Sequence, residues 1–211
     1  MTGSATGLPT DEAARLLRRS LLLEYATIGW NVGEAVLTIA LGSVAGSLAL
    51  IGFGTVSVVE VFASSVVVWH LRSPDDQHHV RRTRVALRLI AGAFLVLSVA
   101  LVVAAIGDLV SGRRAGESHW GIAYLAITAL VMFGLARAKR RLAGSLDSGP
   151  LRSEATVTFL DGILSTSTLV GLALNAYLGV WWADPLAGLL VAVAAANEAR
   201  QTWAEAGELA E

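Results

Sequence analysis

The sequence has 211 residues, of which 55% are hydrophobic and only 16% are charged. A soluble domain carries charge on roughly a quarter of its residues, so this composition predicts a membrane protein. Cysteine is absent, which excludes disulfides, thiolate metal sites and cysteine nucleophiles, and leaves oxygen and imidazole groups as metal ligands. The net charge of −1 at pH 7 conceals a clustering of arginines in particular segments.

Six stretches approach the length of about 20 apolar residues that a helix needs to span a bilayer. They are residues 21–41, 47–70, 85–106, 120–136, 155–178 and 181–199. The first stretch contains Glu24, Asn31 and Glu34, which disfavours a cleaved signal peptide. We therefore predict an all-α, polytopic membrane protein with a bundle of six transmembrane helices. The expected divisions are a cytoplasmic amino-terminal arm (1–19), the transmembrane domain (20–199) and a short cytoplasmic tail (200–211), without a carboxy-terminal metal-binding domain.

The connections between these stretches alternate between short, nearly uncharged turns and longer arginine-rich segments, which predicts three helical hairpins. Of the 16 lysines and arginines, 14 fall on one side of the predicted bundle and only Arg113 and Arg114 on the other. The positive-inside rule makes the first side cytoplasmic and places both termini there. The tryptophans at 120, 181 and 182 fall at predicted outer ends and that at 69 at an inner end, as in aromatic belts. We expect the protein in the plasma (inner) membrane.

Polar side chains recur at spacings of three and four in the first, second and fifth predicted helices, which puts each set on one helical face. The sets are Glu24, Thr27, Asn31, Glu34 and Thr38; Ser57, Glu60 and Ser64; and Glu154, Thr158, Asp161, Ser165 and Thr168. An ionisable side chain at the bilayer centre costs roughly 2.5–3.5 kcal/mol on insertion scales. Each set therefore needs a structural or functional reason.

Lysine and arginine are absent from the central part of every predicted span, so Glu34, Glu60 and Asp161 have no predicted internal ion pair. A proton or a metal cation must neutralise them. Carboxylate, hydroxyl and amide oxygens are hard ligands that suit Mg²⁺ and Mn²⁺ and, less selectively, Co²⁺ or Zn²⁺. The alternative is that these acids stay protonated and bond to neighbouring helices. Glu24 and Glu154 are expected at solvated inner helix ends.

Three segments of the sequence resemble the cation diffusion facilitator family. These are the second helix up to Glu60, the run Asp161-Gly-Ile-Leu-Ser165, and the Asp184-Pro185 start of the last helix. The resemblance covers residues 20 to 200 approximately. The Gly-Phe-Gly stretch at 52–54 and the Asn-Ala stretch at 175–176 are similar to a divergent branch, the transmembrane-163 type of zinc transporter.

The resemblance implies export of divalent cations, commonly zinc, in exchange for protons. It also implies a metal site built from two residues four apart on each of helices two and five. Glu60 and Asp161 match the second member of each pair, whereas Val56 and Val157 stand at the first positions and cannot bind metal. The other candidate ligands are Glu34, Asn31, Glu154, Ser57 and Ser165.

Two further features concern metal capture and assembly. The connection after the second helix contains Asp75, Asp76, His78 and His79, a possible loop metal site whose alternative is an ordinary solvated loop. Gly29 and Gly33 form a small-xxx-small pattern. We expect any homodimer to form through the transmembrane helices.

No phosphate-binding glycine loop or common hydrolase motif occurs, so we expect neither an enzyme nor a prosthetic cofactor. Topology accounts for the basic loops, and we expect no nucleic-acid partner. The predicted function is a secondary transporter that exports divalent cations of the zinc, manganese or cobalt class in exchange for protons. One alternative is a non-transporting scaffold or accessory subunit with a degenerate metal site. Another is a proton-dependent carrier of an organic cation, with Trp30 and Phe159 as aromatic candidates.

Overall fold

The computed structural model describes residues 10–45, 48–72, 79–112 and 119–209. It contains six α helices: α1 (Thr10–Ala45), α2 (Leu48–Leu71), α3 (His79–Ser111), α4 (His119–Leu146), α5 (Gly149–Leu178) and α6 (Ala183–Glu208). This confirms the predicted six-helix bundle. Helix α1 begins within the predicted amino-terminal arm, and α6 continues into the predicted tail.

The prediction of a long arginine-rich connection between the fourth and fifth spans is wrong, because most of that segment is helical. Helix α4 continues to Leu146 and α5 begins at Gly149. Asp147 adopts a φ of 47° in the turn between them, and the Ser148 hydroxyl accepts a 3.4 Å hydrogen bond from the Leu151 amide, which caps α5. Arginine and leucine are good helix formers, so these helices extend past the apolar spans.

The helices pack in a pattern that only partly matches three sequential hairpins. Helix α1 lies along α2, and α5 contacts α6, as the hairpins predict. The other extensive contacts join α4 to α5 and α3 to α6, with further contacts of α2 to α3 and α5, of α3 to α5 and of α1 to α4. Within the described ranges α3 and α4 do not contact each other, so the predicted third–fourth hairpin is wrong. Helix α4 carries charged and polar groups that bond to α1 and α5, whereas α3 packs on α6 through apolar side chains.

The start of α1 and the end of α6 lie at the same end of the bundle, which we call the terminal end. It comprises the starts of α1, α3 and α5 and the ends of α2, α4 and α6. The Arg84 guanidinium at the start of α3 donates to the Leu209 carbonyl oxygen after α6. Arginines here also lie over aromatic rings, as Arg82 does over Trp69 at 4.7 Å and Arg88 over Trp203 at 5.6 Å. Such pairs are typical of a membrane interface.

An apolar core lies between α2, α3, α5 and α6. Its members include Val67, Ile90, Phe94, Leu160 and Ala195. Val56 and Val157 belong to the same core and are 4% and 2% exposed. The two valines at the first ligand positions that the resemblance implies therefore pack among apolar side chains.

The distribution of polarity is the reverse of that in a soluble protein. Glu60 and Lys139 are buried, whereas Val110 and Leu130 expose 83% and 75% of their surface. Two described segments, Gly54–Leu71 and Val80–Ser111, are long and apolar enough to cross a membrane. An apolar exterior around buried charges is the arrangement that a bilayer requires.

Candidate functional site

Buried polar side chains from α1, α2, α4 and α5 form a region inside the bundle that we call the polar column. Each of its members is at most 5% exposed. They are Ser20, Glu24, Thr27, Asn31, Glu34 and Thr38 from α1; Ser57, Glu60 and Ser64 from α2; Thr128 and Lys139 from α4; and Glu154, Thr158, Asp161 and Ser165 from α5. The predicted polar faces of α1, α2 and α5 thus point to the interior.

An ion-pair cluster centred on Lys139 occupies the part of the column nearest the terminal end. The Lys139 ammonium donates to both carboxylate oxygens of Glu154, at 2.7 and 2.8 Å, and to Glu24 Oε2 at 3.3 Å. It also lies 3.2 Å from the Thr158 hydroxyl oxygen. The Ser64 hydroxyl donates to Glu154 Oε1 at 2.8 Å. Four helices therefore meet at one charged cluster.

This cluster corrects one expectation from the sequence. Glu24 and Glu154 are fully buried, so their assignment to solvated helix ends is wrong. Both oxygens of Glu154 bind the Lys139 ammonium, so this carboxylate is paired with a cation of the protein itself. Lys139 lies in a polar segment that the sequence predicts as a connection, whereas the structure places it in α4.

The sequence contains a pattern that indicates the buried position of Lys139. It is the only lysine, and every other Lys/Arg position is arginine. In α4 it continues a run of buried residues spaced three and four apart, namely Thr128, Met132, Ala136, Lys139 and Ala143. Periodicity through the end of the apolar span would have placed this lysine on the inner face.

Glu60 and Asp161 occupy the middle of the polar column. They are 1% and 3% exposed, and none of their four carboxylate oxygens has a hydrogen-bond partner among the described residues. The two side chains interact electrostatically with each other. Unpaired buried carboxylates are costly, so this pair is suited to binding a cation or protons.

Neutral oxygens of the polar column are also without a hydrogen-bond partner among the described residues. Ser165 Oγ, one helical turn beyond Asp161, and Asn31 Oδ1 on α1 are buried without a hydrogen-bond partner in the described part of the chain. No group of three or more histidine, aspartate or glutamate side chains that could hold a metal ion occurs among the described residues. A cation bound between Glu60 and Asp161 would therefore need hydroxyl, amide or water oxygens as its other ligands.

Glu34 lies in the part of the column away from the terminal end. It accepts hydrogen bonds from the Ser57 hydroxyl at 2.9 Å and from the Tyr124 hydroxyl, which join α1 to α2 and α4. Glu34 also interacts electrostatically with Asp161. The three acids singled out from the sequence thus belong to one interior region, whereas Tyr124 was missed because a tyrosine inside an apolar span carries no pattern of its own.

The remaining predictions concern the loop and the aromatic residues. Asp75, Asp76 and His78 lie outside the described residues, as does the side chain of His79, whose backbone begins α3. The Phe159 ring packs against Phe133 and lies 4.8 Å from the Arg140 guanidinium. The Phe159 ring, a candidate for contact with an organic cation, therefore already faces the Arg140 side chain of the protein.

The chain matches the cation efflux transmembrane domain over residues 25–208, which is most of the six-helix bundle. It is also similar to transmembrane protein 163 of Xenopus laevis, with 24% identity over 190 residues that make up 89% of this chain and 67% of that protein. Members of the matched family are membrane transporters of metal cations. The chain therefore belongs to the cation efflux family, as a divergent member.

Proposed function

We propose that this protein is a secondary transporter that exports divalent metal cations in exchange for protons. The cargo belongs to the zinc, manganese or cobalt class, the membrane is the plasma (inner) membrane, and the terminal end is cytoplasmic. The observation that carries the proposal is the Glu60–Asp161 pair, whose carboxylate oxygens are buried and have no hydrogen-bond partner in the described part of the chain. Family membership supports metal-cation transport in general.

Charge balance explains why this pair suits exchange. Two carboxylates together carry the charge that a divalent cation neutralises, and two protons neutralise the same charge. The cation and the protons therefore compete for the same oxygens, since ligands must be deprotonated to bind metal. Cytoplasmic cation binds Glu60 and Asp161, and protonation of these groups promotes its release on the other side.

The donor chemistry bears on the choice of metal. The polar column offers carboxylate, hydroxyl and amide oxygens, and the sequence contains no cysteine. Hard oxygen donors favour Mn²⁺, with Co²⁺ and Zn²⁺ bound less selectively. We propose Ser165 and Asn31, whose oxygens have no hydrogen-bond partner among the described residues, as neutral ligands of the cation. We propose Glu34, held by Ser57 and Tyr124, as a second position along the path.

Flux measurements test this proposal directly. Purified protein in proteoliposomes is assayed for Mn²⁺, Co²⁺ and Zn²⁺ uptake under a pH gradient, beside Glu60→Gln and Asp161→Asn. Glu208→Gln, at an exposed position near the end of α6, is the matched control. We expect both column substitutions to abolish flux and the control to retain it. Wild-type flux that persists in Glu60→Gln and Asp161→Asn would overturn the assignment of the site.

A second candidate function is that of a non-transporting scaffold or accessory subunit. It is favoured by the burial of Val56 and Val157 in the apolar core, because half of the family's ligand positions then contribute packing instead of binding. Folded protein that shows no flux for all three metals would support this alternative over transport.

A further inference from the structure

The polar column already contains one cation, the Lys139 ammonium. Its three N–H groups face both oxygens of Glu154, one oxygen of Glu24 and the Thr158 hydroxyl, at 2.7 to 3.3 Å. The side chains of the ion pairs are 0% exposed. We call the carboxylates Glu24 and Glu154 with this ammonium the Lys139 station.

The Lys139 ammonium does not form a hydrogen bond with every carboxylate oxygen of the station. Glu24 and Glu154 together offer four carboxylate oxygens, and Lys139 contacts three of them. The fourth, Glu24 Oε1, is buried and has no hydrogen-bond partner among the described residues. A single positive charge balances one of two carboxylates, whereas a divalent cation would balance both.

The station also lies next to the Glu60–Asp161 pair. Thr158, which contacts the ammonium, precedes Asp161 by three residues on α5, and Ser64, which binds Glu154, follows Glu60 by one turn on α2. Lys139 interacts electrostatically with Glu60. A cation that moves along the column between the terminal end and Glu60 therefore passes the lysine.

We propose that Glu24 and Glu154 form a cation-binding station at the terminal end of the column, and that Lys139 is its tethered occupant, displaced when a divalent cation binds. This inference rests on the proposed function, in which the column is the path of the cargo. The flexible four-carbon stem of lysine allows the ammonium to leave and return, which the rigid guanidinium of arginine does less readily.

Displacement of a tethered ammonium discriminates between cations by charge. The tether holds the ammonium at an effective concentration on the order of millimolar or higher. A monovalent ion such as K⁺ carries no more charge than the group it must displace, so it gains nothing against this competitor. A divalent ion balances the charge of both carboxylates and can therefore displace the ammonium. Lys139 is thus a specificity-determining residue in this scheme.

Amine labelling of the wild-type chain is the first test, because Lys139 is the only lysine. A water-soluble acetylating ester is applied to the full chain in detergent, and mass spectrometry compares acetylation at Lys139 with that at the amino terminus. We expect slow labelling of Lys139 without metal and an increase of about tenfold or more with saturating Mn²⁺, since burial limits reaction to local opening. K⁺ at matched ionic strength should leave the rate unchanged. Unchanged labelling in protein that has bound Mn²⁺ would overturn displacement.

Binding affinity is the second test and separates this inference from the proposed function. Lys139→Met in the Glu60→Gln background should bind Mn²⁺ at the station about tenfold or more tightly than Glu60→Gln alone, because the tethered competitor is gone, as measured by electron paramagnetic resonance of free Mn²⁺. Adding Glu24→Gln should remove this tighter binding, and Lys139→Arg should not show it. Unchanged affinity in folded Lys139→Met protein would overturn the station, whereas a higher affinity would uphold it even if Glu60 proved irrelevant to transport. If Lys139→Met fails to fold, the labelling experiment decides.

Discussion

Lys139 on α4 and Glu154 on α5 form a fully buried ion pair, with Nζ at 2.7 and 2.8 Å from the two carboxylate oxygens. The pair joins two helices that a short turn connects, and Glu24 adds a third helix to it. A charged group of α4 is thereby part of an interior that the sequence assigns to α1, α2 and α5 alone.

Removing Lys139 should destabilise the fold strongly. Breaking a buried ion pair by deleting one partner costs about 3–5 kcal/mol, because the other charge is left buried and unpaired. We expect a marked fall in the melting temperature of Lys139→Met in detergent, followed by tryptophan fluorescence, and partial recovery in Lys139→Met with Glu154→Gln. The control is Arg152→Met, whose 3.7 Å pair with Asp147 is exposed and worth about 1 kcal/mol at most. Equal melting temperatures for the two single variants would contradict this.

Gly54 should be intolerant of a side chain. A Cβ there would lie 2.5 Å from Ile39 Cγ1 and 2.6 Å from Thr38 Oγ1, so Gly54→Ala forces these side chains, or α1 itself, to move. Overpacking of this kind costs about 1–3 kcal/mol. Gly134→Ala is the matched control, since no atom lies within 4 Å of its added Cβ, and it should be neutral or slightly stabilising. Thermal denaturation of both variants checks this, and an undisturbed Gly54→Ala would refute the close approach.

The hydrogen bonds to Glu34 should matter for flux. Tyr124→Phe and Ser57→Ala each remove a donor from a buried carboxylate, and such bonds are worth about 1.5–3 kcal/mol. We expect each substitution to lower the rate of Mn²⁺ uptake about tenfold or more. Ser65→Ala is the control, because that exposed hydroxyl donates only to the Val61 carbonyl of its own helix. Uptake at the wild-type rate in Tyr124→Phe would remove Glu34 from the path.

Metal affinity should depend on pH with a definite sign. Protons and cation compete for Glu60 and Asp161, so Mn²⁺ binding releases protons and its affinity rises as pH rises. Glu60→Gln removes one of the two titrating partners and should reduce the slope of the logarithm of affinity against pH by about one. Titrations of detergent-solubilised protein over a pH series measure both slopes. A slope that Glu60→Gln leaves unchanged would assign the protons elsewhere.

We propose that any homodimer forms through α1. Gly29 and Gly33 are exposed, and nothing lies within 4 Å of a Cβ added at either, so another helix can approach closely there. Because the sequence lacks cysteine, an introduced Val32→Cys should report this contact as a disulfide-linked dimer in membranes. Gly33→Leu should suppress the crosslink, whereas Gly107→Leu, at an open position on α3, should not. Crosslinking that survives Gly33→Leu would exclude this face.

Hydrophobic pattern was sufficient to predict the number and order of the helices, because each predicted span is rich in apolar residues and the segments between the spans contain turn-forming or charged residues. It could not predict where the helices end, since residues 137–146 are polar enough for a connection and equally good at forming helix. The pattern also could not predict that α3 packs against α6, because an apolar helix face does not specify which other apolar face it contacts.

Polar spacing identified the interior faces of α1, α2 and α5, including the carboxylates of Glu60 and Asp161. It failed for α4, where the apolar residues Met132 and Ala136 interrupt the polar face between Thr128 and Lys139. The partners of Glu34 and Glu154 depend on helix contacts between residues 90 and 15 positions apart in the chain, which spacing within one helix does not reveal.

The turn at Asp147 and Ser148 has a consequence for how the chain enters the bilayer. It brings Lys139 and Glu154 together through a contact only 15 residues apart in sequence, so loop closure is cheap. The α4–α5 hairpin can therefore insert with its lysine already neutralised by its own glutamate, and the cost of carrying a lone ammonium into hydrocarbon is reduced at the moment of membrane integration.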